Sequence, residues 1–294
     1  MVQIRIPSVS LESTISNIER LLQSLLPSYQ EEQITLDFTE CRFIAANGIT
    51  ILAGMKLVRD TKGFQTQIDM TTISESVKKV LMKWRFLDLF GQGCSLSKGT
   101  SIPIYVQREF SAKEQKLETV NYIECEIFQR SEMPQMSDIL KKHIKNALLE
   151  VFGNIFYHSN SQIGGIVCGQ IYPNIKQIQI IVYDAGKGLA KCVRDFDSMI
   201  SSDVDAIKWA LRYGTSTLSG ENDSPRGLGL FILDQFINAN EGEFCIYANN
   251  GVVQDRKDGQ TSHTLNTAFS GTLIDMRINI KDDVKYILAS EKEV

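Results

Sequence analysis

The sequence predicts two units in tandem: a mixed α/β sheet with helices over residues 1–100, then an α+β, helix-backed sheet over 101–294. Three observations predict it. Strand-like alternation and helix-like spacing take turns through the first hundred residues, the pattern of a sheet covered by helices. After Ser137 come a long amphipathic helix, an apolar strand ending in a glycine turn, and a second glycine turn opening another apolar helix. The chain's 294 residues also suit two domains better than one, at about 100–200 residues each.

Val2 to Ile6 alternates apolar and polar residues, as a strand does. Leu11, Ile15, Ile18, Leu22 and Leu25 then fall on one helix face, and Pro27 ends that helix. Ile34 to Phe38 and Phe64 to Met70 read as strands, with a helix over Ile49 to Val58 between them. Val77, Val80, Leu81, Trp84 and Leu87 mark a further helix. This third of the chain holds no acid/base pair and no phosphate loop, so it reads as an interaction module. Between Gly91 and Met136, Ile102–Val106 and Val120–Phe128 read as strands and Lys113–Glu118 as a polar connection, with the boundary near Thr100. Ser137 can cap a helix whose apolar stripe is Leu140, Ile144, Ala147, Leu148, Val151 and Ile155. Gln177 to Tyr183 is the apolar strand, Ala206 to Arg212 a short helix, Leu228 to Ile237 the last apolar helix and Leu273 to Ile280 a final strand.

Composition narrows the function. Thirty-one Lys and Arg against 35 Asp and Glu leave a net charge of −4, which argues against a general nucleic-acid binder. No apolar run approaches the ~18 residues of a spanning helix, and the first ten residues carry no secretory signal core. The six cysteines are scattered without a C-x-x-C pair, so they read as reduced thiols of a cytoplasmic protein. The three histidines do not cluster with them, which argues against a zinc site.

Chemistry concentrates after Ser137. Glu150, Asn154 and His158 are spaced i, i+4, i+8 and share about 80° of helix arc. A carboxylate there can take a proton from an attacking hydroxyl or water. An amide oxygen one turn on can ligate Mg²⁺, which needs few protein oxygens beside phosphates and water. His158 reads as a packing or cap residue. Asp184-Ala-Gly186-Lys-Gly188 closes a strand: its glycines let backbone approach a ligand, and its aspartate can accept from an exocyclic amine. Pro225-Arg226-Gly227-Leu-Gly229 opens a helix whose free N–H groups form a phosphate seat, with Arg226 a candidate cation. Neither a Walker A loop nor a complete dinucleotide fingerprint is present.

Two family resemblances follow. Leu36-Asp-Phe-Thr39 leading to Phe43-Ile-Ala-Ala-Asn-Gly48, with Ile73–Leu81 and Phe86–Phe90, resembles a STAS domain, the module of anti-sigma-factor antagonists and sulfate transporters. Where the antagonists carry an acceptor serine this chain has Ala46, so their phospho-switch is absent there; Thr50 nearby reads as an ordinary exposed helix threonine. Residues 137–281 resemble the GHKL family of gyrase B, Hsp90, histidine kinases, MutL and anti-sigma-factor serine kinases. That resemblance implies a Bergerat-type α/β sandwich with ATP and Mg²⁺ as ligands. It makes Glu150 the N-box base and Asn154 the magnesium ligand. Asp184, Gly186 and Gly188 match the adenine-binding box, Gly227 and Gly229 the phosphate box, and Thr272 in Phe269-Ser-Gly-Thr272 the threonine that helps hold adenine. Lys191 to Ser224 would be the ATP lid, a cover with few apolar anchors, in which Thr215 and Ser216 are candidate phosphate contacts.

Together the resemblances imply an ATP-binding regulatory protein, with a STAS-like interaction domain at 1–100 and a GHKL ATP-binding domain at 101–294. Three activities stay open: serine/threonine phosphoryl transfer to a protein partner, slow hydrolysis driving a lid switch, and a non-catalytic nucleotide-sensing adaptor. The partner implied is a regulatory protein, not nucleic acid or membrane, and a homodimer is left open. No separate helix pair carries a phosphoacceptor histidine ahead of the ATPase part, which argues against a histidine kinase.

Overall fold

The computed structural model describes residues 2–12, 14–93, 99–108, 113–216 and 227–292. The chain is a mixed α/β protein. It begins β1 (Val2–Arg5), α1 (Thr14–Leu25), β2 (Gln33–Asp37), α2 (Ala46–Thr61), β3 (Gln65–Ile68) and α3 (Glu75–Lys83). α1 stops before the Pro27 turn because proline cannot donate inside a helix. The strands pair in the order β1-β2-β3, Val2 with Ile34 and Gln33 with Gln65, and both pairings are parallel. The sheet is therefore not mixed as expected: each strand returns through a helix, and such crossovers bring strands back in the same direction. α3 ends one turn earlier than the apolar spacing suggests, since Arg85 adopts a left-handed conformation that redirects the chain and buries Phe86 and Leu87.

The second sheet has five strands in the order β4-β6-β7-β9-β8, all antiparallel. These are β4 (Ser101–Gln107), β6 (Gly165–Tyr172), β7 (Gln177–Asp184), β8 (Glu243–Arg256) and β9 (Gly259–Asn279). β5 (Gln135–Met136) and β10 (Lys285–Tyr286) form a short separate pair. The helices are α4 (Lys113–Ile123), α5 (Asp138–His158), α6 (Leu189–Phe196), α7 (Asp203–Ala210) and α8 (Gly229–Ala239). Residues 113–128 depart from expectation: they form α4 and a following π-helical turn, Glu124–Phe128, rather than a connection and a strand. Thr119, Ile123 and Ile127 recur every four residues and are buried, and a short apolar run of this kind cannot be told from a strand by composition. β6, α6 and β8 have no counterpart among the predicted elements.

One face of the five-stranded sheet packs with Leu140, Ile144, Leu148 and Val151 of α5 and with Leu233, Phe236 and Ile237 of α8. The other face is covered by α2. Ile166, Cys168, Ile181, Tyr183 and Leu273 of the sheet share one apolar cluster with Ile49, Leu52 and Ala53 of α2 and with Ile4 and Leu36 of the small sheet. The layers are thus small sheet, α1 and α2, large sheet, and the outer helices. α2 is apolar nearly all round because it lies between two sheets. Its glycines permit the approach: a β-carbon at Gly54 would overlap the Tyr183 ring.

Polar contacts fix this packing. Asn47 Nδ2 donates to Asp275 Oδ2 at 2.9 Å, fully buried, and Trp84 Nε1 donates to the Gly169 carbonyl at 2.6 Å. Thr50 is buried rather than exposed, donating to the Ala46 carbonyl at 2.7 Å and touching Cys168 Sγ. Arg277 donates to Thr14 Oγ1 at 2.7 Å and to the Leu11 carbonyl at 3.2 Å. Replacing Asn47 by leucine is expected to cost about 1–3 kcal/mol, because Asp275 loses a donor in a place water does not reach. Urea denaturation checks this against Gln65→Ala, an exposed change expected to cost under about 0.5 kcal/mol.

The five cysteines among the described residues, Cys41, Cys125, Cys168, Cys192 and Cys245, are free thiols. No helix is long and apolar enough to cross a membrane among the described residues.

Candidate functional site

α5 organises the candidate site. Ser137 Oγ accepts from the Leu140 amide at 3.1 Å and starts the helix, whose apolar stripe turns Glu150 and Asn154 to a half-buried flank. Glu150 Oε1 accepts from the Gly227 amide at 2.9 Å and from the Leu228 amide at 3.2 Å. The carboxylate therefore sits at the start of α8, where free amides and the helix dipole favour negative charge. Gly227 has φ of 77°, and a β-carbon there would overlap the Thr215 carbonyl, so this crossing of two chain segments admits glycine alone. A β-carbon on Gly229 would stand 3.0 Å from the Ala147 carbonyl and 3.2 Å from the Glu150 carboxyl carbon. α8 thus begins against α5 at close range.

Asp184 ends β7 and is buried, with Oδ1 accepting from the Gly186 amide at 2.8 Å. Thr272 lies opposite it on β9, and the Thr272 hydroxyl accepts from the Leu189 amide at 2.9 Å. Burial pushes the Asp184 carboxyl up to about 6, against the opposing pull of the Gly186 amide and of the Thr272 and Ser159 side chains. A β-carbon on Gly186 would overlap the Ser159 carbonyl, which caps the end of α5 and accepts from the Lys187 amide at 2.6 Å. Gly188, with φ of 86°, opens α6 beside Asn249.

α5 therefore touches both glycine turns. Glu150 holds the one at Gly227, Ser159 holds the one at Asp184–Gly186, and the nine residue steps from one to the other rise about 13 Å along the helix. Asn154 lies between, and its side-chain amide has no hydrogen-bond partner among the described residues.

Of the predicted residues, Glu150, Gly227 and Gly229 meet at one turn, and Asp184, Gly186, Gly188 and Thr272 at the other. Arg226 lies outside the described residues, as do residues 217–224 of the expected lid and the side chain of His158. The rest of that lid is better anchored than expected. Val193 of α6 and Ala206, Ile207 and Ala210 of α7 are buried in the helix-side core. The Thr215 hydroxyl donates to the Trp209 and Arg212 carbonyls at 2.9 and 3.0 Å, so it closes the turn after α7.

Sequence reasoning missed three supports. A β-carbon on Gly271, which has φ of 89°, would overlap the Asp184 carbonyl; its signal was the Ser-Gly-Thr run. Asn249 Oδ1 accepts from the Lys191 amide at 3.0 Å and its Nδ2 donates to the Lys187 carbonyl at 3.1 Å; its signal was the turn-like Asn-Asn-Gly. Ser159 had no local signal: its carbonyl accepts from the Lys187 amide and its side chain acts on Asp184. Among the described residues no group of three or more His, Cys, Asp or Glu side chains is placed to hold a metal ion.

The shifted Asp184 carries a pH dependence. The folded chain keeps this proton up to about pH 6, whereas an unfolded aspartate releases it near pH 4, about its ordinary value. Between those values the native state binds more protons. The contribution of this group is therefore most favourable below about pH 4 and is lost as pH rises to about 6. Asp184→Asn is expected to stabilise the chain by on the order of 1–3 kcal/mol near pH 7 and by little near pH 4, read from denaturation at each pH.

No protein-family model matches the chain, and no curated protein matches it either.

Proposed function

We propose that this chain is an ATP-binding regulatory protein, with a GHKL-type nucleotide site in a Bergerat-type sandwich coupled to a STAS-like unit at residues 1–100. The observation that carries the reading is the single helix that meets both glycine turns, through Glu150 past its middle and Ser159 at its C-terminal end. That spacing suits an extended nucleoside phosphate, with adenine toward Asp184 and Thr272 and phosphates toward Gly227 and Gly229.

The donor set fits. Asp184 presents a carboxylate to an exocyclic amine, and the bend at Gly186–Gly188 leaves backbone rather than side chain facing it. Asn154, with its amide unpaired among the described residues, would hold Mg²⁺ through one oxygen, phosphates and water supplying the rest. When bound, Mg²⁺ neutralises phosphate charge. Glu150 uses Oε1 on the amides of α8 and would take the proton of the attacking hydroxyl or water on Oε2.

One observation bears on what is attacked. Ala45, Ala46 and Asn47, the counterparts of the STAS acceptor turn, are buried, and the Thr50 hydroxyl is committed to the Ala46 carbonyl. An internal phosphoacceptor is therefore missing at that turn, which supports hydrolysis or transfer to a separate protein. An adaptor role would use some other surface.

The test is incubation with γ-labelled ATP and Mg²⁺, following label in protein and in free phosphate, beside ATP binding by thermal shift. Free labelled phosphate supports hydrolysis, and binding without turnover supports a sensor or a kinase lacking its partner. Absence of ATP binding would refute the reading. Asp184→Asn is expected to weaken ATP binding while stabilising the fold, and these opposite signs separate recognition from folding.

A further inference from the structure

α8 carries a second group of oxygens, away from the glycine turn at its start. Asp234, in the middle of the helix, is 6% exposed, and its Oδ1 is buried with no hydrogen-bond partner. One turn later Asn238 also has a buried Oδ1 with no partner. The i, i+4 spacing puts both on one face of α8. Asp255 of β8 points toward the same layer: Val253, two residues before it, belongs to the helix-side core, and strand side chains repeat every two residues. The charge of Asp255 acts on Asp234, and together with burial it favours the neutral form of that carboxyl, while Gln235 opposes this.

Little nearby answers these oxygens. The hydrogen bond to Asp255 is a 3.3 Å donation from Gln260 Nε2 to its Oδ2. The cations of the adjoining hairpin are spent elsewhere, Arg256 on Glu243 at 2.8 Å and Lys257 on Glu241 at 3.1 Å. Neither Asp234 nor Asp255 has an ion-pair partner among the described residues. A buried carboxylate oxygen without a hydrogen-bond partner or counter-ion is costly, and a second carboxylate beside it adds to the cost. Two carboxylates and an amide oxygen are the ligand class of hard divalent cations.

We propose that Asp234, Asn238 and Asp255 hold a hard divalent cation, Ca²⁺ or Mg²⁺, between α8 and the β8 arm of the hairpin. The site is separate from Asn154 and needs no nucleotide. Waters complete the coordination, since three side chains supply fewer oxygens than either ion takes. Its occupation ties the hairpin arm to the helix whose first turn carries Gly227 and Gly229.

The test uses the full chain, stripped of metal, without nucleotide, at a mildly alkaline pH that ionises the Asp234 carboxyl. Thermal midpoints are read with millimolar CaCl₂ or MgCl₂ against NaCl of equal ionic strength. The expected result is a rise of several degrees with one or both divalent ions, abolished in Asp234→Asn and in Asp255→Asn but retained in Asn154→Ala. A midpoint that ignores divalent ions in the wild-type chain, with Asp234→Asn more stable by itself, would overturn the proposal and assign the buried oxygen a proton. Should either variant fail to fold, equilibrium dialysis of wild-type chain and Asn154→Ala with radiolabelled Ca²⁺ and Mg²⁺ decides. One equivalent of either ion retained by both supports the site, and none retained overturns it.

Discussion

Glu150→Gln is expected to leave ATP affinity nearly unchanged and to lower turnover by about 10²–10⁴-fold. On the proposed function the two effects separate because the side chain would have two tasks. Its Oε1 accepts from the Gly227 and Leu228 amides, and a glutamine oxygen of the same shape can accept there too. The start of α8 thus stays capped, and stability should change by under about 1 kcal/mol. Proton acceptance is different, because an amide has no basic oxygen at neutral pH. Glu150→Ala is the contrasting variant. It removes base and cap together, leaving two helix-start amides without their acceptor, and is expected to lose about 1–3 kcal/mol of stability as well as turnover. Single-turnover assays with labelled ATP, beside denaturation curves, give both readings. Normal turnover in Glu150→Gln would mean that another group takes the proton.

Gly54→Val is expected to be the most damaging single change outside the candidate site. A β-carbon at this position overlaps the Tyr183 ring, and valine adds two methyls beyond it. Tyr183 has little room to retreat: its hydroxyl donates to the Ser270 carbonyl at 3.2 Å and its ring packs on Phe269 at 5.5 Å. Overpacking of a closed layer costs about 1–3 kcal/mol and sometimes more. For a chain of this size that is a fall in Tm of about 2–12 °C. Tyr183 also immediately precedes Asp184, so a shifted strand end should weaken ATP binding along with stability. A Gly54→Val chain melting at the wild-type temperature would show that α2 does not need this close approach.

Legibility followed the physics of each segment. α1, α5 and α8 were readable because each buries one stripe and exposes the other, and because Pro27, Ser137 and Gly227 mark ends with a steric or hydrogen-bonding cause. The glycine turns were readable for a similar reason, since Gly188 and Gly227 occupy backbone conformations that other residues resist. α4 was not readable as a helix, because its buried residues are few and the short apolar run Val120 to Phe128 looks like a strand by composition. The parallel pairing of β1–β3 depends on how the crossovers return, which strand composition does not encode. Thr50 illustrates a further limit. Its neighbours in sequence describe a helix, but its burial comes from Cys168, more than a hundred residues away. Ser159 meets the Gly186 turn with its carbonyl, an atom every residue has, while its hydroxyl acts on Asp184, a partner 25 residues away that no local pattern joins to it.

The burial of α2 between two sheets has a consequence for how ligand binding is felt along the chain. With Ile49, Leu52 and Ala53 in the same apolar cluster as Ile181 and Leu273, residues 1–100 cannot open alone without exposing the back of the larger sheet. Local and global opening then draw on one free energy, as in a single cooperative unit. A ligand held along α5 at a hundred times its dissociation constant adds about 2.7 kcal/mol to that free energy. Amide hydrogen exchange in β1, β2 and β3 should slow by nearly the same factor as in β7, although two layers separate the small sheet from α5. The N-terminal strands would then record occupancy on the far side of the larger sheet, carried by shared solvent exclusion rather than by any moving part.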